Sequence, residues 1–122
     1  MTKKIKKPKN FDYTLNTSNA DDKFCVLKFS QCDDKHPLWD LNSQELRLFV
    51  YFAKKVEMLK WRDIKTYPGL KFENLPNISK PDNIDKDITL NSMRVNQKFR
   101  IIGYRQEEFF YVVWFDKNHE ES

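Results

Sequence analysis

The stretch from residue 92 to the C-terminus carries the side chains best suited to chemistry. Arg94, Lys98 and Arg100 lie at even separations, and Arg105 follows at a turn. In a continuous strand Lys98, Arg100, Ile102 and Tyr104 share one face, and Phe99, Ile101 and Gly103 take the other. Cations in that arrangement neutralise phosphate oxygens while an aromatic ring stacks on a base. Lys98, Tyr104 and Arg105 are therefore candidate RNA-binding residues. His119 comes directly after an apolar run, in Trp-Phe-Asp-Lys-Asn-His-Glu. A histidine there can act as general acid or base near neutral pH, with Asp116 or Glu120 able to orient it. The plainer reading of the same residues is a solvated sheet face and a surface histidine. His36 precedes Pro37 in a loop, has no partner nearby in sequence, and reads as structural.

Other chemistries lack their residues. Gly69 and Gly103 form no phosphate-cradling loop, and the NTPase, α/β-hydrolase and zinc-protease patterns are absent. Cys25 and Cys32 stand alone, with no Cys/His quartet around them, and read as thiols of a reducing compartment. No metal and no cofactor is expected.

The elements that must position these residues follow from pattern. Phe24–Phe29 is β-branched and aromatic between polar clusters, which predicts a buried strand. Gln31–Asp40 is a loop. Asn42, three residues before Glu45, predicts a capped helix start. Leu46, Phe49, Val50, Ala53 and Val56 follow at helical spacing, and Lys54, Lys55 and Lys60 suit the negative end of the helix dipole. Trp61–Ile64 predicts a short second helix or turn, stopped by Pro68-Gly69. Leu70–Leu75 is a short strand or connector, and Pro76–Thr89 a long exposed loop. Met93–Val95 and Lys98–Tyr104 form one strand, or two with a bulge near Asn96. Glu108–Asp116 is apolar on both faces and predicts a central strand covered on two sides. The order indicates an α+β fold, a small antiparallel sheet with one main helix packed on one face.

A chain of 122 residues with 10 Phe, 5 Tyr and 3 Trp can build one core, expected over residues 11–122. The formal charge of +4 misleads: Lys3, Lys4, Lys6, Lys7 and Lys9 supply +5, leaving 17 basic against 18 acidic side chains. Residues 1–10 are expected to be a basic flexible tail. Residues 11–45 carry 3 basic and 7 acidic groups, whereas residues 46–75 carry 7 and 3, so one face can still be positive. No apolar run is long enough to span a membrane, and the N-terminal lysines precede no apolar signal region. A cytoplasmic protein is expected.

The run SMRVNQKFRIIGYRQEEFFYVVWFDKNHE resembles the C-terminal half of toxins of the RelE/HigB/ParE superfamily. In that pattern a Leu-Arg-Val strand precedes an Arg-bearing strand, a variable turn, and an apolar strand ending in His or a basic residue. Met93-Arg94-Val95, Arg100-Ile101-Ile102, Val112-Val113-Trp114 and His119 stand at those places. The resemblance implies a RelE/ParE-like fold and a toxin of a type II toxin–antitoxin pair. Such a toxin would be a metal-independent endoribonuclease on mRNA, on or off the ribosome, with a cognate antitoxin as partner. The RNA 2′-hydroxyl would attack its own phosphate. Arg94 and Arg100 fall on phosphate-contacting positions and His119 on the late basic one, making these three the candidate catalytic residues. The chain departs from the family in having one long helix plus a fragment where a helical hairpin is common, in the long 76–89 loop, and in Asp85-Lys86-Asp87 where a lysine-rich strand before Arg94 is expected. The alternatives are a non-enzymatic module binding nucleic acid or protein, and a ParE-like topoisomerase inhibitor.

Overall fold

The computed structural model describes residues 20–121, and the lysine-rich segment 1–10 lies outside the described residues. Asn42 Oδ1 accepts the Glu45 N–H and Glu45 Oε1 accepts the Asn42 N–H, both at 2.8 Å. This reciprocal cap satisfies two donors that a helix start otherwise leaves open, and it fixes the first residue of α1, Ser43–Val56. The helix buries Phe49, Phe52 and Val56. Leu46 and Val50, expected in the same stripe, point outward. Helix α2, Trp61–Thr66, follows after a short turn and buries Trp61 and Ile64.

Five strands complete the fold: β1 Val26–Lys28, β2 Glu73–Leu75, β3 Leu90–Arg94, β4 Arg100–Gln106 and β5 Phe109–Asp116. They form one sheet in the order β1-β5-β4-β3-β2. The last four make an antiparallel meander, but β1 pairs with β5 in parallel. The sheet is therefore mixed, which corrects the expectation of an antiparallel one. The chain leaves β1 through both helices and resumes at the far edge, so three reversals bring β5 back running alongside β1. The strand expected over Phe24–Phe29 shrinks to three residues at the sheet edge, and Phe24, Val26 and Phe29 are exposed. An edge strand has only one neighbour in its sheet, so an apolar run there need not be buried.

The helices cover one face of the sheet, packing Phe49, Phe52 and Trp61 against Ile101, Phe110 and Phe115. The other face holds Leu90, Ile102, Tyr104, Val113 and Trp114. Strand β5 is thus covered on both sides, as its pattern predicts. What covers the second face is the segment 76–89, read from sequence as an exposed loop. It forms no helix or strand, yet Ile84 is buried on that face with Ile78 and Ile88 beside it. Lys80 Nζ holds the segment's shape by donating to Lys86 O at 2.6 Å and Ile88 O at 2.5 Å.

Strands β3 and β4 are separate, joined by a turn in which Asn96 Oδ1 accepts the N–H groups of Lys98 and Phe99. The bulge lies further on, at Ile102/Gly103. A Cβ at Gly103 would run into Tyr111 O and the Phe110 ring, so glycine is what lets the two backbones meet there.

Candidate functional site

Arg94 on β3 sits directly opposite Arg100 on β4, and Asp116 on β5 lies on the other side of Arg100. The three share the sheet face that lies away from the helices, because each follows a buried neighbour that points to the helical side. Arg100 is only 6% exposed. Its Nη1 donates to Asn96 O at 2.8 Å and Gln97 O at 3.1 Å, bracing the β3–β4 turn from within. Burial, and then the neighbouring Arg94 charge, weaken its hold on its proton, and Glu73 and Asp116 partly offset this. Arg94 is half-buried, and its Nε is buried without a hydrogen-bond partner among the described residues.

A second polar group adjoins this pair. His36 adopts a positive φ of 54° and its carbonyl accepts the Phe115 N–H at 2.8 Å, which anchors the loop against the end of β5. The ring packs edge-on against Trp114 and its Nε2 lies 2.9 Å from Glu121 Oε2. Asp116, wholly buried, accepts the N–H groups of Glu120 at 2.9 Å and Glu121 at 2.7 Å. It thereby folds the residues after β5 back over the strand end. Lys35 Nζ is 2.7 Å from Glu121 Oε2 and also lies over the Trp114 ring. Burial alone would raise the Glu121 pKa, but hydrogen bonds from Lys35 and His36 outweigh it and lower the value. The Lys35 pKa is raised, chiefly by its hydrogen bond to Glu121.

Of the residues read from sequence, Arg94 and Arg100 are brought side by side. Lys98 lies exposed in the turn beside them. Tyr104 shares their face but is buried and stacks on Tyr111 with ring centroids 5.1 Å apart. Burial, with Tyr111 adding to it, raises its pKa. Arg105 points to the helical side, donating to Asp21 Oδ1 at 2.7 Å and Glu107 O at 2.6 Å, with its guanidinium 4.4 Å from the Trp61 ring centroid. His119 is exposed in the turn after β5, with φ 58°. The histidine gathered with Asp116 and Glu120 is His36, which sequence reasoning passed over. Its partners lie about eighty positions away, and only the β5 register reveals them.

Comparison with protein-family models, curated proteins and solved structures finds no match to this chain.

Proposed function

We propose that this chain is a RelE/HigB-like toxin, a metal-independent endoribonuclease acting on mRNA in the cytoplasm and restrained by a cognate antitoxin. One observation carries the reading: two arginines stand opposite each other across β3 and β4, and Arg94 Nε is buried without a partner among the described residues. Like charges directly opposed destabilise a sheet, and an unsatisfied buried donor adds to that cost. A phosphodiester between the guanidinium groups would reverse both effects, since arginine recognises phosphate with paired, charge-assisted hydrogen bonds. In this reading Arg94 grips the scissile phosphate, and Arg100 stabilises the charge that develops on it. His119, or else His36 oriented by Glu121, moves the proton between the 2′-hydroxyl and the leaving oxygen.

The antiparallel β3–β4–β5 meander also supports the reading, since it carries Arg94 and Arg100 on neighbouring strands as the C-terminal resemblance implies, and the helical part is where the chain departs from the family. Lys98 adds a cation at the turn beside the pair. Arg105 is committed to Asp21 and contributes to the fold in place of RNA contact.

The second reading is a phosphate-binding module without catalysis, and it rests on how fully Arg100 Nη1 is used by the β3–β4 turn. Induced expression with mapping of transcript 5′ ends separates the two. Growth arrest with new 5′ ends, relieved in Arg94→Ala, is the expected outcome. Full arrest by stably accumulating Arg94→Ala and His119→Ala proteins would sink the proposal, and RNA retention without new ends would favour the module.

A further inference from the structure

His36, Asp116 and Glu120 bring one ring nitrogen and two carboxylates to a single point, their donor atoms all within 4.8 Å of one another. Glu121 adds a third carboxylate at the rim, 2.9 Å from His36 Nε2, and Glu120 Oε1 stands 3.9 Å from the same nitrogen. The set is built by two distant segments, and each is locked by backbone bonds. The Phe115 N–H donates to His36 O, and Asp116 holds the N–H groups of Glu120 and Glu121.

Asp116 is the unusual member. It is 0% exposed, and its two oxygens each accept one N–H. That uses about half of a carboxylate's acceptor sites. Among the described residues no lysine or arginine lies within ion-pair distance of it. Arg100, its cross-strand neighbour, turns its Nη1 to the carbonyls of Asn96, Gln97 and Phe99. Arg100 and Lys35 act on Asp116 only through their charge, without direct contact, and a buried carboxylate with no cation in contact leaves room for a bound metal ion.

We propose that His36, Asp116 and Glu120 bind one divalent transition-metal ion of the zinc or manganese class. The ion would take the place of the proton between His36 Nε2 and Glu121 Oε2, leaving Glu121 as a fourth donor oriented by Lys35. An imidazole among carboxylates favours first-row transition ions over magnesium and calcium, which prefer all-oxygen surroundings. Metal–donor bonds of about 2.0–2.2 Å place donors roughly 3–4 Å apart, so the site closes with small shifts of the exposed Glu120 side chain. The ion would pin the His36 loop to the residues that follow β5. The site adjoins the arginine pair through Asp116, the cross-strand neighbour of Arg100, and an ion on His36 would leave His119 as the proton-moving histidine; the site itself does not rest on the endoribonuclease reading.

The test is calorimetric titration of the chelator-treated protein with Zn2+, Mn2+ and Mg2+, read alongside the melting temperature. One equivalent of Zn2+ or Mn2+ should bind and raise the melting temperature, with Mg2+ at least tenfold weaker. His36→Ala and Glu120→Gln should each weaken binding by about tenfold or more. Glu120 is largely exposed, so its variant tests the site without disturbing the core. His119→Ala should bind as the parent does. Binding that survives both His36→Ala and Glu120→Gln would overturn the proposal, and its loss in His119→Ala would then identify an adventitious surface histidine. A parent protein that binds neither ion would overturn it as well.

Discussion

Arg94 faces Arg100 across β3 and β4 with its Nε buried and, among the described residues, unpaired, an arrangement that burdens the folded state. Function-bearing residues are where such local costs persist. Replacing Arg94 by methionine keeps an unbranched apolar chain about as long as the arginine stem, removes the like-charge contact and leaves no donor unsatisfied. The Arg94→Met protein should be at least as stable as the parent, by up to about 1 kcal/mol in urea unfolding. It should also lose retention of RNA or of a phosphate analogue. A clear loss of stability would show that Arg94 serves the fold. Arg100→Ala is a poor test by comparison, because it strips the Asn96 and Gln97 carbonyls of their donor and weakens the turn. At this scale the sequence reveals that Arg100, Ile102 and Tyr104 share a face of β4, since a strand's period of two sets it, but that Arg94 faces Arg100 follows from the β3–β4 register. Nor can the sequence reveal the His36–Asp116–Glu121 contacts, which depend on where a loop crosses the end of β5.

Local chemistry decides how far each element can be read. The helix start is legible because both halves of its cap, Asn42 and Glu45, lie within four residues. The two-sided burial of β5 is legible from its unbroken apolar run. The parallel placement of β1 is not, because it depends on the chain's whole path around the sheet. The bulge is a third case: Gly103 is visible in the sequence, but its reason appears only when Tyr111 O and the Phe110 ring lie where a Cβ would stand. Gly103→Ala must therefore displace backbone on β5, and should cost about 2 kcal/mol or more in chemical denaturation. The loss should appear as a fall in melting temperature without a new thiol-accessible intermediate, since β4 lies in the middle of the sheet. An unchanged melting temperature would mean that the bulge relaxes and that the close approach is dispensable.

On the scale of the whole molecule, two polar clasps fasten the sheet at opposite ends. At one, Glu121 with Lys35 and His36 holds the chain after β5. At the other, Asp21 receives Lys65 at 2.9 Å and Arg105 at 2.7 Å, joining the segment before β1 to α2 and to the β4–β5 hairpin. Net charge conveys neither clasp, because the separations of 85 positions at the first and of 44 and 84 at the second belong to the fold. The hydrogen bond from Lys65, then that from Arg105, lowers the Asp21 pKa below the ordinary carboxylate value. A carboxyl whose pKa is lower in the folded chain than in the unfolded one stabilises the fold above the unfolded value. That contribution disappears as pH falls through the folded value. Asp21→Asn should therefore melt lower than the parent at pH 6–7, and the gap should close as pH is taken from about 4 toward 2. Water screens a side chain that is 36% exposed, so the gap should stay below about 1 kcal/mol and shrink further in high salt. A gap that keeps its size down to pH 2 would assign the loss to packing of the Arg105–Trp61 stack, which the charge on Asp21 does not control.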